Sequence, residues 1–317
     1  MDIEYHYYIT YLIALACGFK IHEAYIIAYS SQMVDDNDTK YTIYDKHNKQ
    51  ILYKNFVSSI TKKNIYLYDL KKILIPFHFL PDITTNNIRK DGIKHKFNTI
   101  KYSKLAKFIL MHALKSKNLY WIGIATHAFV DTWAHQNFIG ENCSYNAFNN
   151  VLAKFSPNIA HLDALDKPDL VGLIWKDTRL KDEKINNVTR FSEASTMLTE
   201  LYLNFTKRYN FNINKFLFTL KKIMSNNEKN NYFDVKIMTS TRIKKYNKIA
   251  KIISNFDILN YKINYWRDEF FTKLNNKNYT IKSNVSFKST SWFKFQESIK
   301  LHCNFTLQTL KLLKINL

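Results

Sequence analysis

Glycine and proline are scarce in this chain of 317 residues, which has 5 of the first and 4 of the second. Sandwiches and barrels of β-strands need turn residues at short intervals, and doubly wound nucleotide-binding folds need glycine loops. The scarcity therefore argues against both classes and favours long helices joined by polar connections. We expect an all-α or mostly α fold, organised as a multi-helix bundle.

Cysteine is rare, and acidic residues are outnumbered by basic ones. Cys17, Cys143 and Cys303 are far apart and form no metal-type pair. This argues against a disulfide framework and a zinc finger, and it suits a reducing compartment. The 47 Lys and Arg residues against 26 Asp and Glu give a formal net charge of +21. We interpret much of this charge as compositional bias, but the field still attracts phosphates, anionic lipids and nucleic acid.

A long apolar run is missing from the N-terminal region. The apolar stretch at residues 5–19 is too short to cross a bilayer, and Asp2 and Glu4 precede it where a secretory signal carries positive charge. Hydrophobic residues make up 46% of the chain, which excludes intrinsic disorder. We expect a soluble, cytoplasmic protein without a transmembrane segment.

Apolar residues at helical spacing predict a buried first helix over residues 3–17 and a second over 21–34. Further helices are predicted over 103–115, 119–137, 192–209, 213–224, 238–255, 261–274 and 291–313. Residues 39–57 have the pattern of a small β-hairpin, and 75–81, bracketed by prolines, that of an extended buried loop. Because no linker or repeat divides the chain, we interpret residues 1–317 as a single helical domain.

The predicted helix after Asn118 contains His127, Asp131 and His135 at four-residue spacing. Residues four apart lie on one helix face, so the three polar side chains share a stripe that is otherwise apolar. Burying them unpaired would cost a few kcal/mol each. A hydrogen-bond network without an ion would remove that penalty, but three such residues in register favour a shared metal.

Other ligand-type residues lie in apolar or motif-like settings elsewhere in the chain. They are Asp2, His6, Asp35, Asp36, His78, His161, Asp163, Asp166 and Asp169. Histidine with aspartate, and no cysteine, suits zinc, manganese or iron, and bridging aspartates suit a hydrolytic site with several ions. We therefore predict a metal site built from residues 2–36, 78, 127–135 and 161–169.

Several segments resemble an uncharacterised bacterial family known only as a domain of unknown function. They are the opening MDIEYHYY at 1–8, the AYSSQMVDD stretch at 28–36, Pro-Phe-His at 76–78, HAFVDTWAHQNF at 127–138, residues 161–169 with Trp175, and WFKFQE at 292–297. The resemblance runs over essentially the whole chain. It implies one domain and no particular activity.

The order of the ligand-type residues is also distantly similar to that of the zinc-dependent phospholipases C and the single-strand-specific zinc nucleases. Those families are helical and cleave phosphodiesters with three zinc ions. The resemblance implies three groups of ligands, with Asp131 bridging: Asp35 or Asp36 with His78, His127 and Asp131; His135 and His161 with Asp163 or Asp169; and His6 with Asp131.

The chain departs from those families at three places. His135 follows Asp131 by four residues, a slightly shorter interval than those families lead us to expect. Their third ion is held by the amine and carbonyl of a processed N-terminal tryptophan, whereas this sequence reads Met1-Asp2, so Asp2 is a candidate substitute. The acidic residue expected four positions after His161 is Leu165, so Asp163 and Asp169 are both candidates.

The implied mechanism is attack on phosphorus by a metal-activated water, with Asp35 or Asp36 orienting that water or accepting its proton. The implied cofactor is zinc, two or three ions, with manganese or iron as alternatives. The implied substrate is a phosphate-containing anion, a phospholipid or a nucleic acid.

Two other functions fit the sequence. One is a binding protein that keeps the metal, or the His/Asp cluster, for structure alone. The other is a basic nucleic-acid or membrane-surface binder, since residues 239–255 have the composition of a basic amphipathic helix that makes peripheral contact with a membrane. The simpler interpretation of that helix is that its isoleucines pack into the core.

Overall fold

The computed structural model describes residues 1–45, 47, 49–51, 53–61, 69–82, 88–148, 157–208, 211–226, 229–275, 277–282 and 286–315. It is 56% helical, with ten α-helices and two small sheets among these residues, which confirms the mostly α fold. None of the described helices combines the length and apolarity needed to cross a bilayer.

The helices begin with a π-helical segment, Glu4–Ile9, that continues into α1. Their bounds are α1 Thr10–Ala16, α2 Ile21–Asp36, α3 Leu70–Phe77, α4 Lys104–Ser116, α5 Leu119–Ala134, α6 Asn187–Thr206, α7 Ile213–Met224, α8 Tyr232–Ser254, α9 Tyr265–Phe270 and α10 Ser291–Leu312. Short 3₁₀ turns lie at Ser144–Asn146, Leu162–Ala164 and Phe287–Ser289.

The strands form one four-stranded and one two-stranded sheet. They are β1 Thr42–Tyr44, β2 Gln50–Ile51, β3 Ile174–Lys176, β4 Lys184–Asn186, β5 Phe271–Asn275 and β6 Asn278–Ile281. The antiparallel pair β1 and β2 confirms the hairpin predicted at 39–57. In the larger sheet β1 also pairs with β6, which lies far along the chain; the two strands are parallel, with Ile43 opposite Tyr279.

Helix α5 lies at the centre of the core. Every residue from Trp121 to Ala134 is buried, and α5 packs against α2, α4, α6 and α10. Gly123 allows the close approach of α2, because a Cβ at that position would lie 2.3 Å from the carbonyl oxygen of Ile27. The central stripe of α5 is thereby held against the helix that ends at Asp36.

The prediction of an extended loop at 75–81 is wrong for its first part, because α3 continues to Phe77 with Pro76 in its last turn. A proline inside a helix leaves the carbonyl four residues back without its usual donor. Here that carbonyl, on Lys72, accepts a 3.7 Å hydrogen bond from Sγ of Cys303. The contact comes from α10, so tertiary packing compensates the break that the sequence indicated.

Several other boundaries differ from the sequence prediction. Helix α6 begins at Asn187 and not at 192, and α8 begins at Tyr232 and not at 238. The helix predicted over 261–274 is α9 followed by β5, because the backbone from Phe271 pairs with β6. The helix predicted over 119–137 ends at Ala134, and His135 caps it. The chain therefore leaves the axis of α5 after Ala134, and His135 lies beside Asp131.

Candidate metal centre

Asp131 lies at the middle of the site, on the buried stripe of α5. Its Oδ2 is 3.1 Å from Nε2 of His127 and 3.6 Å from Nδ1 of His135. All three side chains are buried. The sequence-predicted stripe therefore converges on one carboxylate.

The π-helical segment Glu4–Ile9 brings His6 to the other oxygen of Asp131. Its Nε2 is 3.1 Å from Oδ1 of Asp131, and its ring stacks on His127 with 3.8 Å between centroids. A π-helical turn widens the helix locally and often occurs at functional sites. His6, His127 and Asp131 form a first group whose ligand atoms lie within 4.8 Å of one another.

A second group forms where α2 and α3 end. Oδ1 of Asp35 is 3.7 Å from Nδ1 of His78 and 3.6 Å from Nε2 of His127. His78 is the residue directly after α3, and its φ of −128° ends the helix. His127 therefore belongs to both groups.

His135, His161 and Asp169 form a third group. Nε2 of His135 is 2.9 Å from Oδ1 of Asp169, and Nε2 of His161 is 3.4 Å from Oδ2. The two imidazole rings stack at 4.7 Å. Of the two acidic candidates near His161, the structure brings Asp169 into the cluster.

Four of the five histidines in the cluster are fixed by a hydrogen bond from one ring nitrogen to a backbone carbonyl. The pairs are His127 Nδ1 to Ser31 at 2.8 Å, His78 Nε2 to Ser58 at 2.9 Å, His135 Nδ1 to His78 at 2.8 Å, and His161 Nδ1 to Leu165 at 2.7 Å. A carbonyl only accepts, so the imidazole nitrogen in each pair is the donor. In a neutral ring the second nitrogen then carries a lone pair, and in all four rings that nitrogen faces the cluster.

These lone pairs face each other and the carboxylates. Nε2 of His127 is 3.0 Å from Nδ1 of His78, and Nε2 of His135 is 2.9 Å from an oxygen of Asp169. Two acceptors at this distance repel unless a proton or a metal ion lies between them. Backbone-anchored histidines of this kind are the usual outer support of metal ligands.

The ionisation of the site follows from its burial and its charges. Burial lowers the pKa of His127 to about 4 and raises the pKa of Asp35. Burial alone would raise the pKa of Asp131, but the Met1 amine and the imidazoles of His135 and His127 outweigh it and hold this pKa well below its ordinary value. The centre therefore keeps Asp131 charged and His127 neutral, which are the forms that bind a metal.

The amine of Met1 is a member of the site that sequence reasoning missed. It is buried and lies 2.5 Å from Oδ1 of Asp131 and 3.1 Å from Oδ1 of Asp169. Burial lowers its pKa, but the two carboxylates outweigh this effect and raise the pKa to about 11. No residue-type pattern could have indicated it, because the group belongs to the backbone.

Asp2 does not reach the cluster that it was expected to complete. Its carboxylate accepts the backbone N–H of Glu4 at 3.1 Å, and burial raises its pKa to about 8. In the structure the Met1 amine, and not the side chain of Asp2, therefore lies between Asp131 and Asp169.

Asp36, Asp163 and Asp166 also lie outside the three groups. Asp36 accepts the hydroxyl of Tyr261 at 2.5 Å, and Asp163 accepts the backbone N–H of Phe148 at 3.3 Å. The carboxylate of Asp166 accepts the hydroxyl of Tyr232. Their predicted roles as ligands stay predictions, with partners of another kind in the structure.

A buried ion pair supports the segment that carries His6. Nε and Nη2 of Arg242 each donate to Glu4 at 2.7 Å, and the Tyr246 hydroxyl donates to the same carboxylate at 2.7 Å. The side chains of Glu4 and Arg242 are fully buried. Sequence reasoning missed this pair, because Arg242 lies in a helix whose other charges face solvent.

The cluster opens into a cavity that is accessible from solvent. One part of its wall is polar and is formed by members of the cluster: Met1, Asp35, His78, His135, His161 and Asp169. Another part is apolar and consists of Ile60, Leu74, Phe79, Ile159 and Leu162. A molecule in this cavity would contact both the cluster and an apolar surface.

The family comparison covers nearly the whole chain. A family model described as "Family of unknown function (DUF6765)" matches residues 1–310. Nothing among the curated proteins or the solved structures matches the chain. The predicted resemblance to a family without known function is therefore confirmed, and the distant similarity to zinc-dependent phospholipases C and nucleases finds no support in these comparisons.

Proposed function

Since the chain belongs to this family of unknown function, we propose its activity from the geometry of the site: a metal-dependent hydrolase that cleaves phosphoesters. The substrate class is a phosphodiester, in a phospholipid or a nucleic acid. Zinc is the proposed ion, two or three per chain, with manganese or iron as alternatives. The observation that carries the proposal is the set of four anchored histidines whose second nitrogens face carboxylates or one another.

The residues fit a cluster of transition-metal ions in three respects. Imidazole and carboxylate donors without cysteine suit zinc, manganese and iron. The ligand-atom distances of 2.9–3.7 Å within the groups are near the separation of about 3.4 Å for tetrahedral ligands of zinc. In addition, Nε2 of His6 is buried and makes no hydrogen bond to any described residue. An ion at each group would satisfy these atoms.

The proposed ligands divide into the three groups described above. His6 and Asp131 would hold one ion, Asp35 with His78 and His127 a second, and His135 with His161 and Asp169 a third. Asp131 lies within 3.3 Å of ring nitrogens of His6, His78 and His127, which belong to the first and second groups, so it is the carboxylate suited to bridge ions. The Met1 amine contacts both Asp131 and Asp169 and competes for the same space while it is protonated.

Bound ions of this kind lower the pKa of a coordinated water and stabilise negative charge on phosphoryl oxygens. Asp35 is the proposed proton acceptor. Its side chain is 32% exposed and lines the cavity, so an oxygen that does not bind the ion would be free to accept the proton of a coordinated water. Asp36, the alternative, bonds to Tyr261 instead.

The cavity supports an organic ester as the substrate. Phe79 stacks on His135 with 4.5 Å between ring centroids, and Leu74 and Ile159 continue the apolar wall. The phosphate would lie at the cluster while the remainder of the ester contacts this wall. The net charge of +21 attracts such an anion.

We keep the cytoplasm as the proposed location. Cys17, Cys143 and Cys303 are unpaired, and Cys17 and Cys303 are buried, which suits a reducing compartment.

The experiment that tests this function combines metal analysis with a hydrolysis assay. Metal content is measured by inductively coupled plasma mass spectrometry, and hydrolysis is followed with bis(p-nitrophenyl) phosphate, phosphatidylcholine vesicles and single-stranded DNA. The variants are Asp131→Asn and the cavity-lining His161→Ala, with the exposed His22→Ala as the matched histidine control.

We expect at least two ions per chain in wild type and in the control, with loss of metal and hydrolysis in the two site variants. Metal without turnover of any substrate would contradict the hydrolase and leave a structural metal. Wild-type protein without metal after reconstitution would contradict both, and the cluster would then be a proton-filled hydrogen-bond network.

A further inference from the structure

The end of α8 and the segment after it expose four large apolar side chains within twelve residues. The exposed fractions are 82% for Ile252, 59% for Phe256, 66% for Leu259 and 61% for Ile263. We name residues 252–263 the apolar turn. Single exposed apolar residues are common, but a run of four in one short segment indicates contact with something other than water.

The backbone of the apolar turn is held firmly from beneath. The Tyr7 hydroxyl donates to the carbonyl of Leu259 at 2.9 Å, and the Tyr29 hydroxyl donates to the carbonyl of Lys262 at 2.9 Å. Ile258, between the exposed residues, is buried at 3%. The fold therefore anchors this segment on one side while Leu259 and Ile263 extend from it.

Lysines are frequent in the sequence just before the apolar turn and occur once within it. Five lie between residues 244 and 263, against one carboxylate: Lys244, Lys245, Lys248, Lys251, Lys262 and Asp257. Asp257 is 3.8 Å from Lys251, and both side chains are about two-thirds exposed, so this ion pair is weak. The apolar turn and the last part of α8 before it, residues 244–263, therefore combine protruding apolar side chains with an excess of positive charge.

We propose that the apolar turn is a membrane-docking surface that inserts into the interfacial layer of a bilayer containing anionic lipids. Apolar side chains gain by leaving water for the acyl boundary, and lysines are attracted to anionic headgroups within a Debye length. Charge complementarity is what selects this partner. The proposal is independent of the proposed hydrolase activity, because none of these residues contributes to the metal centre.

The surface differs from the amphipathic helix that the sequence suggested at 239–255. Arg242, Tyr246 and Ala250 of α8 are buried, and Ile243, Ile249 and Ile253 are partly buried against the core. Most of the isoleucines therefore pack inward, as in the simpler interpretation. Within residues 239–255, Ile252 is the isoleucine that stays largely exposed, at 82%.

The experiment is a vesicle flotation assay with the full chain. Vesicles of phosphatidylcholine alone are compared with vesicles containing 30 mol% phosphatidylglycerol, roughly the anionic content at which lysine-mediated binding is strong. The variants are Phe256→Ser with Leu259→Ser, and Lys248→Glu with Lys251→Glu. The control is Phe218→Ser, which replaces a phenylalanine that is 71% exposed on α7.

We expect wild type and Phe218→Ser to float with the anionic vesicles and not with neutral ones, with binding that weakens as salt rises. Each double variant should lose at least tenfold in the partition coefficient, while the circular dichroism spectrum and the metal content stay those of wild type. Equal loss in the Phe218→Ser control, or no flotation of wild type at low salt, would overturn the proposal. So would a concentration-dependent dimer in light scattering that the Phe256/Leu259 variant abolishes, because the turn would then be a protein interface.

Discussion

Nε2 of His127 lies 3.0 Å from Nδ1 of His78, although 49 residues separate them and each ring is fixed by its other nitrogen to a backbone carbonyl. The two lone pairs cannot turn away from each other without breaking those hydrogen bonds. A proton or a metal ion between them removes the repulsion. If a metal ion fills this place, as proposed, the stability of the fold should depend on metal.

We expect chelation to lower the melting temperature of the wild-type protein. A ligand at about 1,000 times its Kd stabilises the folded state by about 4 kcal/mol, which corresponds to roughly 8 °C for a chain of this size. Differential scanning calorimetry with and without a chelator measures the shift. Asp131→Asn should show a smaller shift than wild type, because the group of His135, His161 and Asp169 does not include it. A wild-type melting temperature that ignores the chelator would contradict a metal in the core.

Removing only one partner of the buried pair of Arg242 and Glu4 should lower the unfolding free energy more than replacing both partners. Arg242→Met leaves the Glu4 carboxylate without its cation in the core, and such a loss costs about 3–5 kcal/mol of unfolding free energy. Adding Glu4→Gln removes the stranded charge and should recover about half of that loss. Urea denaturation measures all three proteins.

The matched control for this pair is the exposed ion pair of Lys101 and Glu193. Lys101→Met should change the unfolding free energy by less than about 0.5 kcal/mol, because exposed pairs contribute little. A loss after Arg242→Met as small as that of the control would mean that the pair does not hold the segment carrying His6.

The sequence was sufficient for the part of the site that is local. His127, Asp131 and His135 share one helix, and four-residue spacing alone places them on one face. It could not separate Asp35 from Asp36, because neighbouring residues at a helix end differ by about 100° in direction and only the packing of α2 decides which one meets the cluster.

The parts that failed depend on pairing and packing that helical spacing does not show. Phe271 begins a strand where the spacing indicates a helix, because its backbone pairs with the neighbouring β6, which in turn pairs with the distant β1. Pro76 remains helical, and Cys303 of α10 compensates the break at Lys72. The contacts from β1 and α10 leave no trace in the local pattern of residues.

His302 predicts a pH dependence that is separate from the metal ligands. Its Nε2 donates to the carbonyl of Pro76 at 2.9 Å, and its Nδ1 accepts the indole N–H of Trp121 at 3.3 Å, so the neutral ring is fully bonded. A proton on Nδ1 of His302 would point at the indole N–H of Trp121, and the two N–H groups would repel each other. Burial lowers the pKa of His302 to about 4.

Because the unfolded chain takes up this proton near the ordinary value of 6.5, stability should fall as the pH falls from about 6.5 to about 4. The loss attributable to this ring is about 3 kcal/mol at the acid end. Urea denaturation of wild type and His302→Gln across this range measures it. The variant should be less stable at pH 7 and lose stability less steeply toward pH 4; parallel curves would contradict the assignment.

Asp35 and Asp36 give the sharpest test of the proposed chemistry, because they are adjacent and differ in what they face. Asp35 lines the cavity 3.6 Å from His127, whereas Asp36 accepts the Tyr261 hydroxyl. If Asp35 takes the proton of the attacking water, Asp35→Asn should lower kcat by about 10²–10⁴-fold. Asp36→Asn keeps an oxygen for Tyr261 and should stay within about threefold of wild type, since it removes no group from the cavity.

The measurement is kcat with bis(p-nitrophenyl) phosphate at saturating metal, together with the metal content of each variant. Asparagine can contribute one oxygen ligand, which is enough to replace Asp35 but not the bridging Asp131, so Asp35→Asn with full metal and little turnover would assign Asp35 to proton transfer. Loss of metal along with activity would assign it to ligation instead. An Asp36→Asn variant that is as inactive as Asp35→Asn would contradict the distinction, because the two side chains would then act as one unit despite their different partners.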